Sequence, residues 1–266
     1  MNSQLVFLGS SGAIQIPAYF CSCRNCEAAR RDPGQRRTRA SIALLGQEVT
    51  LVDASPDIDF QLEREQIGWV DNIFITHWHY DHIAGLSSFA EPSTFGNRQK
   101  IDLYLPGEVV FHFEQELAYL QDCFNLIPTQ PGDRFELPDG IWEVVKTTHT
   151  GHSTGFIVET NQRFAYLVDG VMPPAITMER LQNLDLAILE ATVDELDEEG
   201  WFNFSLKQAV KCWKQIGAER CILTHLSCHS WRDGDLVEGL SHRSRLAYED
   251  QHPGLSFAFD GMRVNL

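Results

Sequence analysis

The chain alternates short apolar runs with stretches that keep a helical spacing. Runs rich in branched and aromatic residues predict strands at 4–9 (QLVFLG), 40–46 (ASIALLG), 48–54 (EVTLVDA), 71–76 (DNIFIT) and 101–105 (IDLYL). The second and third of these read as a hairpin pair with Gly46 in the turn. Further strands are predicted at 141–149, 154–160, 163–169, 185–191 and 219–225, and LSFAFD and MRVNL close the chain. Helices are predicted from Ser55-Pro56, from Asp81 towards Phe89, over 107–120 and around 174–183. Ser205 opens another, because Ser205 and Gln208 fit a capping box while Leu206, Ala209, Val210 and Trp213 share one face. The acidic run DELDEE (194–199) reads as a solvated loop. With no long linker, repeat or low-complexity tract, residues 1–266 read as one domain of mixed α/β (α+β) class, two sheets covered by helices.

Composition changes this picture little. The chain has 266 residues, 43% of them hydrophobic, which suffices for a real core. Its net charge of −16 disfavours broad nucleic-acid binding, since an acidic surface repels phosphate backbones. A small anionic substrate stays admissible, because a bound dication inverts the local field. No apolar run approaches the ~20 residues that span a bilayer. The opening MNSQLVFLGSSGAIQ lacks the basic and long apolar regions of a secretory signal. The expectation is a cytoplasmic protein with no membrane partner; a homodimer is left open. Seven cysteines, an odd number, argue against a disulfide framework. Cys123, Cys212 and Cys221 sit singly in apolar contexts and read as buried thiols.

The chemistry concentrates in T-H-W-H-Y-D-H at 76–82. His77, His79, Asp81 and His82 can each give a lone pair to a metal, and imidazole with carboxylate suits zinc, manganese or iron. One ion rarely takes four ligands from seven consecutive residues, so the segment suggests a dinuclear site that needs further ligands. Three later strands end in candidates: His149, Asp169 and His225. Asp169 could bridge two metals with its two oxygens. A second cluster, C-S-C-R-N-C, places Cys21, Cys23 and Cys26 within six residues, a soft set that suits a structural zinc. The fourth ligand is Cys228 or, alternatively, His229. Such a zinc would pin the N-terminal loop beside the strand that carries His225.

The T-H-W-H-Y-D-H motif resembles the H-x-H-x-D-H signature of the metallo-β-lactamase superfamily, and the ligand order matches along nearly the whole chain. The resemblance implies a four-layer αββα sandwich, here with an N-terminal zinc-binding cysteine loop. It implies one divalent metal on His77, His79 and His149, a second on Asp81, His82 and His225, and Asp169 between them. His152 is a rival for His149, which is preferred because it lies six residues before Gly155-Phe156. The cysteine cluster, QRRTR and FDGM resemble two branches: the phosphoribosyl cyclic phosphodiesterase of the carbon–phosphorus lyase pathway, and coenzyme PQQ synthesis protein B. The first carries a histidine where Cys228 aligns, so a four-cysteine site is a departure. Likeness to the second is strongest at ASIALLG and LVDASPDIDFQL, but its usual members lack the full signature. Related phosphodiesterases also carry a histidine before the helix that begins here near Ser205, whereas this chain has Asn203. Asparagine cannot act as a general acid near neutral pH, so the open alternatives are that His152 or His229 substitutes, that the leaving group needs no acid, or that activity on phosphodiesters is poor.

The implied activity is hydrolysis of a small phosphodiester, cyclic or open, with Asp81 and Asp169 orienting the hydroxide. Asp53 would support a ligand, and Arg36, Arg37 and Arg39 would attract phosphate. The alternatives are a metal-dependent oxidoreductase or accessory protein in PQQ-like cofactor biosynthesis, or a hydrolase of thioesters or lactams.

Overall fold

The computed structural model describes residues 3–91, 99–192, 203–232 and 235–266, with only the backbone for 230–232 and 235–237. Two seven-stranded sheets stack face to face. The first holds β1 (Gln4–Gly9), β2 (Ser41–Leu45), β3 (Val49–Val52), β4 (Asn72–Phe74), β5 (Ile101–Pro106), β6 (Phe124–Thr129) and β16 (Arg263–Asn265). Its order is β16-β1-β2-β3-β4-β5-β6. The second holds β7 (Arg134–Leu137), β8 (Gly140–Lys146), β9 (Thr154–Glu159), β10 (Arg163–Leu167), β11 (Leu186–Glu190), β12 (Arg220–Thr224) and β15 (Leu255–Phe257). It runs β15-β12-β11-β10-β9-β8-β7. A separate antiparallel hairpin joins β13 (His229–Arg232) to β14 (Asp235–Glu238).

The strands read as unbroken apolar runs because both of their faces are covered. In β1, Leu5 and Phe7 enter the core between the sheets, while Val6 and Leu8 pack outward under the helices. In β10, Phe164 and Tyr166 point inward and Ala165 and Leu167 outward. Phe74 ties the layers together: it stacks on Tyr104 at 4.1 Å in its own sheet and on Trp142 at 4.5 Å across the gap. The outer face of the first sheet is covered by α2 (Ile58–Glu65), α3 (Tyr80–Ile83) and α4 (Val110–Glu116). Beside the second sheet lie α5 (Ala175–Arg180) and α6 (Leu206–Ile216). The capping box of Ser205 and Gln208 forms, α6 buries the predicted stripe, and left-handed Gly217 ends it. Two more helices are α1 (Arg24–Arg31) and α7 (His242–Gln251). The arrangement is an αββα sandwich.

Three helical expectations need correction. The helix expected from Ser55 begins at Ile58; Ser55 Oγ accepts the Asp57 N–H at 3.2 Å instead of capping it. The helix expected from Asp81 to Phe89 is one α-turn, after which residues 84–89 tighten into a 3₁₀ helix. There Gly85 lets two backbones meet, since a Cβ would lie 2.1 Å from the Ser55 carbonyl oxygen. The 107–120 segment is α-helical only over Val110–Glu116, with 3₁₀ turns on either side. The acidic run 194–199 lies outside the described residues. Among the described residues no helix is long and apolar enough to cross a membrane.

Candidate metal centre

The site forms where strands of both sheets end. Parallel pairing of β3 with β4, and of β10 with β11 and β12, brings their C-terminal ends together. Ligands commonly bind in such a crevice. Asp53 follows β3, Asp169 lies just beyond β10, Glu190 ends β11 and His225 follows β12. Three of these, Asp53 (φ 63°), Asp169 (φ 51°) and His225 (φ 54°), adopt left-handed backbone conformations. Such conformations are strained for non-glycine residues and concentrate at functional sites. Past β4 the chain bends at Trp78, His79 is extended and precedes α3, and that single turn returns Asp81 and His82 to the same region.

The predicted residues assemble in two groups that share one member. His77, His79, His149 and Asp169 form the first; Asp81, His82, Asp169 and His225 form the second. Within each group the ligand atoms lie within 4.8 Å of one another. Asp169 Oδ2 is 3.4 Å from His77 Nε2, 2.7 Å from His82 Nε2 and 3.3 Å from His225 Nε2. His79 Nδ1 sits 2.8 Å from His77 Nε2 and 3.3 Å from His149 Nε2. His152, the rival for His149, lies outside both groups, where its Nδ1 is 3.7 Å from Glu108.

The surroundings fix which nitrogen faces inward. Thr76 donates its hydroxyl to Asp53, so its oxygen accepts from His77 Nδ1, 3.0 Å away. Asp53 Oδ2 accepts from His82 Nδ1 at 2.6 Å. Thr192 donates to Glu190 at 2.5 Å and accepts from His225 Nδ1 at 2.8 Å. Each ring thus turns its Nε2 towards Asp169, the nitrogen that would give its lone pair to a metal once its proton is released. His82 Nε2 and His225 Nε2 are buried without a hydrogen-bond partner. Buried polar atoms that converge without hydrogen-bond geometry fit cations at those points. The His/Asp groups therefore fit divalent metals.

Electrostatics agree. Burial opposes ionisation of Asp169, but the His225 and His82 imidazoles hold it well below the usual carboxylate range. Burial would depress His225, yet the Asp169 and Asp81 carboxylates hold it up at about 10. His77 is driven well below its ordinary value by burial and by His82. Burial and the neighbouring charge of Asp169 push Glu190 up to about 7. In the unloaded site, protons stand between carboxylates and imidazoles where cations would stand, so metal uptake releases protons.

Glu190, Thr192, Thr76 and Asn203 were not singled out as supporting residues. Glu190 and Thr76 sit inside apolar strand runs that read as core, and only the fold turns them towards the ligands. Asn203 donates to Asp169 Oδ1 at 2.6 Å and to Glu190 Oε2 at 2.9 Å, which makes it a brace for the shared carboxylate. Asp53 does contact a ligand as anticipated. The Asp53→Asn variant keeps the shape and tolerates the left-handed backbone, but loses the charge behind His82. It is expected to bind metal about 10–100-fold more weakly, as measured by competition with a coloured chelator.

The cysteine cluster also closes. Cys21, Cys23, Cys228 and His229 place their ligand atoms within 4.8 Å of one another. Cys228 Sγ is 3.2 Å from His229 Nδ1, and Cys21 Sγ is 3.7 Å from the same nitrogen. Cys26 is fully buried beside them, and its N–H donates to Cys23 Sγ at 3.4 Å. Burial, followed by the Cys26 and Cys23 thiols, raises Cys228. Burial pushes Cys23 up to about 11. Cys21, Cys23, Cys228 and His229 thus supply four donors for a tetrahedral ion, with both candidates for the last position among them, while Cys26, expected as a ligand, lies outside this group and its Sγ accepts the Ala18 N–H at 3.4 Å. Two of the three arginines expected to attract phosphate are tied into the fold, while Arg36 is exposed and donates only its Nε–H, to the Ala29 carbonyl at 3.2 Å. Arg37 is buried and donates to Ser10 Oγ and the Ala258 carbonyl, and Arg39 pairs with Asp57 at 3.0 Å.

An αββα sandwich with two His/Asp groups sharing an aspartate at the strand ends is the architecture of a metallohydrolase. The chain belongs to the β-lactamase superfamily, whose domain matches residues 49–226. Among solved structures it is similar to a diphosphatase of the PhnP family, with a TM-score of 0.82 and 25% identity, covering 100% of this chain and 98% of the other. It also shares its fold with zinc-bound PqqB from Methylobacterium extorquens, with a TM-score of 0.81 and 19% identity, covering 99% and 100% of the two chains. Among curated proteins it is 25% identical to an octanoyltransferase of Porphyromonas gingivalis over 241 residues, 85% of this chain and 46% of that protein. The chain spans about half or less of the length of the curated relatives it matches.

Proposed function

We propose that this chain is a dinuclear metal-dependent phosphodiesterase acting on a small, anionic phosphodiester, cyclic or open. The observation that carries the reading is the sharing of Asp169 Oδ2 among His77, His82 and His225, two of which have orphaned inward nitrogens. Zinc or manganese bound in the two groups would supply a nucleophile derived from water and neutralise phosphoryl oxygens. His77, His79 and His149 hold one side of the centre, and Asp81, His82 and His225 hold the other. Asp81 and Asp169 orient the attacking oxygen. Asn203 keeps Asp169 aimed and carries no proton to the leaving group. His229 is occupied in the cysteine cluster, so His152, which lines the same pocket as His79, is assigned to protonate the leaving oxygen.

Likeness to a diphosphatase supports chemistry at phosphorus. More than half of the octanoyltransferase lies outside the match, so octanoyl transfer is not carried over. Protein loaded with zinc or manganese should cleave bis-p-nitrophenyl phosphate and a ribose cyclic phosphate, stop on chelation and resume when metal is restored. Cleavage of thioesters or lactams with no phosphodiester turnover would overturn the reading. One observation favours a second reading, an iron-dependent or accessory role in cofactor biosynthesis: an asparagine stands where the related phosphodiesterases place an acid. Iron in the His/Asp centre of protein with no esterase activity would decide for it.

A further inference from the structure

The QRRTR segment supplies nothing to the metal centre, yet Arg36, Arg37 and Thr38 line a separate cavity of about 750 Å³. It lies between α2, the turn at Asp260 and the loops at 15–17 and 33–38. Its size falls in the ~300–1,000 Å³ range of small-molecule pockets. No member of the His/Asp groups or of the cysteine cluster lines it. Residues 10–12 stand between cavity and centre: Ser10 bonds to Arg37 and Asp260, while Gly12 lies against the His225 ring.

Five charged side chains line the cavity: Arg36, Arg37, Arg64, Asp57 and Asp260. Both carboxylates are satisfied. Asp57 pairs with Arg39 at 3.0 Å. Asp260 accepts from the Ser10 hydroxyl, from the N–H and hydroxyl of Thr38, and from Arg64. Arg64 gives its other nitrogens to Glu65 and the Leu8 carbonyl. Arg36 and Arg37 remain, and neither forms an ion pair among the described residues. Arg36 uses only its Nε–H. Arg37, 6% exposed, is anchored through Nη1 alone, and its Nε and Nη2 make no hydrogen bond among the described residues. Burial, then the charge of Arg245, pushes it down to about 9 against the pull of Asp260 and Glu249. Arg37 also lines a small recess with Asn25, Gln35, His242 and Arg245, which adds a second guanidinium and no carboxylate.

A buried guanidinium without a paired counter-charge is costly, and here a chain of net charge −16 leaves one unpaired. The planar fork of a guanidinium matches the edge of a carboxylate. The remaining walls are Ile16, Pro17, Pro33 and the 62%-exposed ring of Phe60. Of the neutral polar side chains, Thr38 is bonded to Asp260, which leaves Gln15. A sugar or other hydroxyl-rich body would lose water there with little to replace it, whereas a flat apolar body gains the faces of the ring and the prolines.

We infer that this cavity binds an amphipathic organic anion, a carboxylate on a flat apolar body, with its head on Arg36 and Arg37 and its body against Phe60 and the prolines. The cavity is independent of the phosphodiesterase reading. Calorimetry on metal-loaded protein should show 2-naphthoate binding, and 2-naphthalenemethanol, its uncharged counterpart, should bind about tenfold more weakly. Arg36→Gln should weaken naphthoate about tenfold and Phe60→Ala about fivefold. Both positions are exposed, so metal content and melting temperature should stay at wild-type values. Asp169→Asn, which disturbs the metal centre, should bind naphthoate as wild type does. Loss of binding in Asp169→Asn would put the carboxylate on the metals and overturn the proposal. Unchanged affinity in Arg36→Gln or Phe60→Ala, equal affinity for naphthoate and the alcohol, or no binding by wild type would overturn it as well.

Discussion

Replacing Asp169 by asparagine is expected to lower phosphodiester hydrolysis by on the order of 10³-fold, because a shared carboxylate steadies several kcal/mol of charge in the transition state. Asparagine fits the same space and accepts the left-handed φ of 51° at this position. The backbone therefore gives no separate reason for a loss. The amide turns an N–H or a weaker oxygen towards His77, His82 and His225, which converge on Asp169 Oδ2 in the wild type. Metal analysis should show fewer than two ions in the His/Asp centre, while far-UV circular dichroism stays native. An Asp169→Asn protein that keeps wild-type kcat/KM and full metal content would remove Asp169 from the reaction.

The second large effect concerns the cysteine cluster. Cys23 caps α1 by accepting the Cys26 N–H, and Cys21, Cys228 and His229 tie that helix to the segment after β12. A Cys23→Ser variant is expected to lose one equivalent of zinc and to melt about 10 °C lower, a shift that corresponds to about 3–5 kcal/mol in a domain of this size. It should unfold less than a zinc finger does, because three large hydrophobic clusters hold the sandwich without it. Cys212 is a fitting control: it is fully buried in α6, away from the cluster, so Cys212→Ala should leave the metal count unchanged. Equal zinc content and melting temperature in wild type and Cys23→Ser would show that the thiols hold no structural ion.

Most of the sandwich was legible in the sequence because its central strands are covered on both faces and so appear as solid apolar runs. Among the elements missed are α1, β6, where Asn125 and Pro128 interrupt an apolar run, and two with weak patterns. In β7 exposed and half-buried residues alternate without a fully buried position, and α7 buries only Arg245 among its ten residues. The four residues of β7 put only Phe135 and Leu137, half-buried, against the core, too short an alternation to stand out, and α7 carries no apolar stripe. At the site, the ligands were legible because histidine and aspartate at strand ends have few other uses. The preference for His149 over His152 rested on its spacing to Gly155-Phe156, and the loop after β8 does put His149 against His79. The bracing network of Thr76, Glu190, Thr192 and Asn203 depends on which strands are neighbours, and neighbourhood is a property of the sheet order.

Heat resistance and catalysis are set against each other in this chain by the three left-handed residues after β3, β10 and β12. Glycine at 53, 169 or 225 would relieve about 1 kcal/mol of backbone strain at each position. It would also delete a group that aims or forms the centre. A selection that rewards only survival at high temperature would therefore drift towards glycine there and recover sturdy proteins that have lost their reactivity.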